Sequence, residues 1–107
     1  MLTDNIELKL QETVQLCKDI DAETQIEPVV GDLTSEGFAD SLASQAALTF
    51  GRLDYAVNCA GIGGKAGTTH ELELEDLRQV QRINLEALWI CERAELRVML
   101  RQPVVNG

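Results

Sequence analysis

The stretch that decides the fold runs from residue 53 to residue 61 and consists of Leu53-Asp54-Tyr55-Ala56-Val57-Asn58-Cys59-Ala60-Gly61. A short apolar run with strand-forming residues, stopped by a polar residue and a glycine, is typical of a buried parallel strand. Ligands of open α/β sheets bind in the crevice outside the carboxyl ends of the strands. We therefore expect Asn58 through Gly61 to lie beside a ligand site. Spacing alone leaves open the alternative of a buried strand that ends in an ordinary turn.

The composition limits the classes of protein to which the chain can belong. Its 107 residues suffice for one domain with one core. The 9 basic and 18 acidic residues give a net charge of −9, which argues against nucleic acid or an anionic membrane as the main partner. The first residues lack the pattern of a targeting peptide, and no apolar run approaches the ~20 residues of a membrane span. The sequence therefore predicts a single-domain cytoplasmic protein.

The positions of the cysteines and of the single histidine do not match the pattern of a metal or disulfide site. Cys17, Cys59 and Cys91 are odd in number and form no Cys-x-x-Cys pair. We expect buried, reduced thiols and predict no metal site. The single histidine, His70, is expected to be a solvated residue near a helix start.

The first part of the chain predicts a helix followed by an edge strand. Asp4 and Glu7 have the spacing of a capping box, and apolar residues then recur at helical intervals over about 5–19. The stretch 26–30 is short and β-branched, but Pro28 cannot donate to a ladder and restricts it to a sheet edge. Asp32 follows at the carboxyl end of this strand, where the alternative is an ordinary turn residue.

A second helix leads into the central strand. Thr34 or Ser35 can cap it, Gly51 can end it, and its predicted apolar stripe is Phe38, Leu42, Ala46 and Phe50. Strand, helix and strand in this order predict a right-handed parallel βαβ unit. We therefore expect residues 29–30 to pair with residues 56–57, in an overall α-β-α-β-α order.

The loop after the central strand matches the letters of a dinucleotide fingerprint. Residues 61–66 fit G-x-G-x-x-A, but the helix pattern starts only at Thr68-Thr69-His70-Glu71. Because the fingerprint requires a helix that opens inside the glycine loop, we interpret the loop as a flexible surface segment.

The longest predicted helix runs from Thr68 to about Arg101. Asn84 falls in the middle of its apolar stripe, so a buried amide there must bond locally in a helix distortion or face a polar site. The stripe consists of Leu77, Val80, Ala87, Leu88, Cys91 and Val98. A second stripe lies on another face, which predicts a partner helix, and it consists of Leu85, Trp89, Leu96 and Leu100.

Three motifs in this order resemble those of the short-chain dehydrogenase/reductase family. They are Asp32-Leu33-Thr34, Asn58-Cys59-Ala60-Gly61-Ile62 and Ile83-Asn84-Leu85. The resemblance covers about 6–99 and implies an α/β fold with part of a Rossmann-type, doubly wound parallel sheet, here with two parallel strands. It also implies an oxidoreductase that uses NAD or NADP to interconvert a small-molecule alcohol and a carbonyl by hydride transfer. The choice of cofactor and the substrate stay open.

The resemblance also implies roles for individual residues. Asp32 resembles the aspartate that contacts the adenine ring, with Leu33 beside it through its backbone. Asn58, Cys59, Ala60 and Gly61 resemble a cofactor-lining motif in which Cys59 replaces a second asparagine. Asn84 resembles the catalytic asparagine that holds a water in the proton relay. The stripe of Leu85, Trp89, Leu96 and Leu100 matches the position of the family's dimer interface and implies a homo-oligomer.

Two expected parts of such an enzyme do not occur in residues 1–107. The glycine-rich phosphate loop and the catalytic Tyr-x-x-x-Lys pair have no counterpart, because Tyr55 lies in the predicted strand and Lys65 in the glycine loop. We therefore expect a single incomplete NAD(P)-binding domain over 1–107 that is inactive by itself. The alternative is a non-catalytic acidic α/β fragment that associates with another subunit through its long C-terminal helix.

Overall fold

The computed structural model describes residues 1–105. Contacts between residues divide the chain into two compact units, one from Met1 to Asp32 and the other from Leu33 onward. The expectation of one incomplete domain stays a prediction.

The first unit is a small parallel βαβ unit. Strand β1 (Leu2–Asp4), helix α1 (Glu7–Ile20) and strand β2 (Pro28–Val30) follow in order, and α1 packs on both strands with Leu10 and Val14 buried. The strands are parallel, with Leu2 beside Pro28 and Asp4 beside Val30. Pro28 is the first residue of its strand, where its missing N–H removes no ladder bond from the interior. The predicted α/β class with two parallel strands is confirmed.

The predicted partner of β2 is wrong. Residues 29–30 pair with Thr3 and Asp4 of β1, not with residues 56–57. Three residues are too short for a period-2 pattern to be recognised, so β1 was not predicted and Asp4 was assigned to the helix cap. In the structure Asp4 ends β1, and its Oδ1 accepts a hydrogen bond of 2.8 Å from the Ile6 N–H.

The second unit is helical and has a core of small side chains. Its elements are α2 (Glu36–Phe50), α3 (Leu74–Gln81), a π-helical turn (Arg82–Ala87) and α4 (Leu88–Met99). Helix α2 packs on α4 through a cluster of Ala39, Ala43, Cys91 and Ala94, against which Leu33, Leu53, Ile90 and Val98 lie. Gly51 ends α2 in the left-handed conformation at φ 84°, as predicted.

Two details of the helices differ from prediction. The buried row of α2 is Ala39, Ala43 and Ala46 rather than a row through the larger Phe38 and Leu42, because alanines let the two helices approach closely. The long helix begins at Leu74 rather than Thr68, since Glu73 and Asp76 form the reciprocal capping box. Thr68 and Glu71 form an isolated turn in which the Glu71 N–H donates to the Thr68 carbonyl.

The segment 53–61 is extended but is not a buried strand. It pairs with no strand in the part of the chain that the structure describes, where the only sheet is β1 with β2. Tyr55 is 90% exposed and Val57 is 86% exposed. The predicted buried parallel strand is therefore wrong in its burial and pairing. Among residues 1–105, no helix is long and apolar enough to cross a membrane.

Candidate functional site

The carboxyl ends of β1 and β2 place two carboxylates at one edge of the small sheet. Asp4 is the last residue of β1, and its carbonyl accepts a hydrogen bond of 3.0 Å from the N–H of Gly31, just past β2. Asp32 follows Gly31 and is exposed. Asp32 was predicted at a strand end and lies there. Asp4 was not predicted at a strand end because β1 was not recognised.

In the second unit, Asn84 binds both main-chain polar groups of Ile62. Its Oδ1 accepts from the Ile62 N–H at 2.8 Å, and its Nδ2 donates to the Ile62 carbonyl at 2.8 Å. Asn84 lies in the π-helical turn, as the helix-distortion alternative predicted. The Asn84 side chain is exposed rather than buried, so the premise of a buried amide is wrong. The structure thus joins two of the predicted motifs, the one ending at Ile62 and the one centred on Asn84.

The middle of the extended segment is held by α4. Asn58 Nδ2 donates to Glu95 Oε2 at 2.9 Å, and the three residues that follow, Cys59 to Gly61, are exposed. A Cβ on Gly61 would lie 3.3 Å from Asn84 Oδ1, so glycine permits the close approach of the loop to the π-helical turn. The Leu33 side chain packs on the helical core cluster.

The start of the segment is held by a residue that no sequence pattern indicated. Gln102 Oε1 accepts from the Leu53 N–H at 2.6 Å, and Gln102 Nε2 donates to the Leu53 carbonyl at 2.8 Å. Both residues are partly buried. A side chain that binds a distant main chain leaves no periodic pattern, which explains why Gln102 was missed.

The three thiols are all unpaired, but they are not all buried as predicted. Cys91 is buried, Cys17 is partly exposed and Cys59 is exposed. Burial raises the pKa of the Cys91 thiol, and the negative charge of Glu95 raises this pKa further. Within residues 1–105, no group of three or more His, Cys, Asp and Glu side chains could hold a metal ion.

The outer face of α4 carries the second apolar stripe. Its four side chains, Leu85, Trp89, Leu96 and Leu100, are each more than half exposed. A groove of about 380 Å³ lies beside this stripe and is lined by Glu36, Leu85, Glu86, Trp89, Ile90 and Arg93. The Arg93 guanidinium lies 4.6 Å from the centre of the Trp89 ring and pairs with Glu36.

Comparison with known proteins identifies the family. The family model described as "short chain dehydrogenase" matches residues 1–105. The chain belongs to the short-chain dehydrogenase family. A 3beta-hydroxysteroid dehydrogenase from Mediterraneibacter gnavus is 37% identical over 68 residues, which cover 64% of this chain and 25% of that protein. Across the curated relatives that it matches, the chain spans between 16% and 35% of their length.

Solved structures of short-chain dehydrogenases have the same fold. A short chain dehydrogenase from Mycobacterium smegmatis is 32% identical, with a TM-score of 0.80 over 90% of this chain and 39% of that one. A structure titled NAD+-bound xylitol dehydrogenase superimposes with a TM-score of 0.86 over 92% of this chain and 37% of that one, at 22% identity. The second likeness concerns the fold alone. Together they agree with the partial Rossmann-type fold that the sequence predicted.

Proposed function

We propose that this short-chain dehydrogenase chain is part of a cytoplasmic, NAD-dependent enzyme that interconverts a small-molecule alcohol and a carbonyl by hydride transfer. The observation that carries the choice of NAD is the position of Asp4 at the carboxyl end of β1, beside the end of β2. In Rossmann-type sheets an acidic residue near such a strand end accepts hydrogen bonds from the ribose hydroxyls of NAD. The same charge repels the additional 2′-phosphate of NADP.

The chemistry of the residues at the sheet edge fits the adenosine end of a dinucleotide. A carboxylate accepts several hydrogen bonds, so Asp4 can hold the Ile6 N–H and still accept from ribose hydroxyls. Asp32, with the backbone of Leu33, is assigned to the adenine ring. Both aspartates stand where strands end, which is where ligands of such sheets bind.

In the second unit, Asn58, Cys59, Ala60 and Gly61 are assigned to the cofactor wall. Their exposure leaves them accessible, and the glycine leaves room for close approach. Bound NAD would supply the hydride acceptor. While it binds Ile62, the Asn84 side chain keeps one more lone pair on Oδ1 and one more N–H on Nδ2. We assign Asn84 to hold the water of the proton relay.

Comparison of NAD with NADP tests this proposal. We expect millimolar NAD to shift the amide resonances around Asp4 and Asp32, with NADP binding about tenfold more weakly because of the added charge repulsion. Asp4→Asn keeps the acceptor for the Ile6 N–H but removes the charge, and should reduce this discrimination. Glu23→Gln removes an exposed charge from the same unit and should leave it unchanged. Equal binding of the two cofactors would contradict the assignment of Asp4.

We also propose that the polypeptide 1–107 turns over no alcohol or carbonyl by itself. Its only tyrosine, Tyr55, is exposed in the extended segment, and Lys65 of the glycine loop lies 3.7 Å from Asp76 in an ion pair. Neither is arranged as a catalytic Tyr–Lys pair. Cofactor-dependent turnover by the pure polypeptide would contradict this statement.

A second candidate function is self-association through the outer stripe of α4. The exposure of all four stripe residues favours it, because contiguous exposed apolar surface on a helix marks an interaction site. We propose a second copy of the chain as the partner, since the groove beside the stripe carries both Arg93 and acidic side chains that such a copy could pair.

A further inference from the structure

The side chain of Gln102 binds both main-chain polar groups of Leu53 at the start of the extended segment. We propose that Gln102 is a positioning residue that sets the register of segment 53–62, and thereby the placement of Asn58 to Gly61. The positioning role of Gln102 is independent of the proposed function. Its consequence for cofactor binding rests on the proposed function, which assigns Asn58 to Gly61 to the cofactor wall.

Within residues 1–105, neither strand pairing nor burial fixes the middle of the segment. It pairs with no strand within residues 1–105, and Tyr55 and Val57 are almost fully exposed. At its start, Leu53 packs on the helical core cluster. An extended chain that slips by one residue moves by about 3.3 Å and turns its side chains to the opposite face. Among the described residues, the packing of Leu53 and side-chain hydrogen bonds oppose such a slip.

Two carboxamides provide these contacts at the two ends of the segment. Gln102 binds Leu53, and Asn84 binds Ile62, each through one donated and one accepted hydrogen bond. We name these two pairs the amide clamps. Each clamp reproduces the double hydrogen bond of a residue pair in an antiparallel ladder. A methyl or thioether side chain cannot do this, and a carboxylate cannot donate.

The two clamp residues lie at opposite ends of the C-terminal helical region. Asn84 lies in the π-helical turn, and Gln102 lies three residues past Met99, the last residue of α4. The Asn58–Glu95 bond lies between the clamps. Glu95 lies on α4, between the two clamp residues in the chain. Side chains from the π-helical turn, α4 and the turn that follows it therefore hold the segment at its end, middle and start.

The test measures whether loss of the Gln102 clamp changes amide exchange at Ile62, nine residues beyond Leu53 in the segment. Gln102→Met keeps the length of the side chain and removes its donor and acceptor. We expect the amides of both Leu53 and Ile62 to exchange with solvent about tenfold faster, the effect of about one net hydrogen bond. Gln79→Met, at an exposed position of α3, is the matched control and should change neither rate. Faster exchange at Leu53 with an unchanged Ile62 would overturn the proposal, because the contact would then be local.

If Gln102→Met fails to fold, two measurements on the wild-type protein test the positioning role instead. We expect a through-hydrogen-bond coupling between Gln102 Nε2 and the Leu53 carbonyl, and a shared opening free energy for the Leu53 and Ile62 amides in native-state exchange. Absence of the coupling, or separate opening free energies, would overturn the positioning role.

Shifts in the amide resonances of Asn58 to Gly61 on addition of NAD test the cofactor assignment separately. Coupled exchange without any NAD response would support Gln102 as a positioning residue and contradict the proposed function.

Discussion

Gly64 is a residue at which backbone conformation and packing both require glycine. Its φ is +77°, and a Cβ there would lie 2.6 Å from Val80 Cγ2. We expect Gly64→Ala to lower the free energy of unfolding by about 1–3 kcal/mol, the range for overpacking with backbone strain. Urea denaturation measures this change.

The neighbouring glycine supplies the control for this substitution. At Gly63 no heavy atom lies within 4 Å of the position that a Cβ would occupy, and φ is not positive, so Gly63→Ala should be close to neutral. Equal effects of the two substitutions would show that the loop does not pack on Val80 in solution.

The cysteines should differ in reactivity according to their surroundings. Cys59 is exposed, whereas burial and the charge of Glu95 raise the pKa of Cys91 and keep it in the unreactive thiol form. With iodoacetamide near pH 8, we expect alkylation of Cys59 first and of Cys91 last, followed by mass spectrometry of peptides. Alkylation of Cys91 as fast as Cys59 would mean that the helical core opens readily.

At the scale of elements, α4 has two faces with different surroundings. Its inner face buries Cys91 and Ala94 against α2, and its outer face exposes the stripe around Trp89. The periodicity of the sequence predicted the outer stripe and, on the inner face, Cys91, because a helix repeats every 3.6 residues whatever its neighbours are. Leu77 of the predicted inner stripe is half exposed, and the buried Ala94 was not predicted.

A helix distortion at Asn84 was one of two alternatives left open, because the sequence does not show that Asn84 binds Ile62. The later helix start was not predicted, since it depends on the choice among nearby capping residues.

Substitution at the outer face tests self-association. Trp89→Glu would place a charge in the centre of the proposed interface and remove the ring beneath Arg93, so we expect the dimer dissociation constant to rise by at least about 100-fold. Sedimentation equilibrium measures it. Leu48→Glu changes an equally apolar, exposed residue on α2 and should leave the dimer intact. A monomeric wild type, or loss of folding without dissociation in Trp89→Glu, would contradict the proposed interface.

At the scale of the molecule, the described residues combine a core of small side chains with large apolar side chains at the surface. The buried apolar residues are mostly alanines, while Ile20, Leu48 and Leu100 are almost fully exposed. Burial of apolar area is the main source of stability, so polypeptide 1–107 should be marginally stable. We expect a low thermal midpoint and binding of the dye ANS to the exposed apolar side chains. A monomer with a high thermal midpoint and no dye binding would contradict this expectation.

The sequence by itself determined the family, the α/β class, the glycine stop at Gly51 and the motifs around Asn58 and Asn84. The glycine stop and each motif are local, because each depends on the residue types within a few positions of chain, and the class and family follow from the order of such motifs along the sequence. Only the tertiary structure decided that β2 pairs with β1, that Asp4 stands beside the end of β2, and that Gln102 holds Leu53. Each of these contacts joins residues more than 20 positions apart, and no local pattern records which distant partner satisfies a given main-chain group.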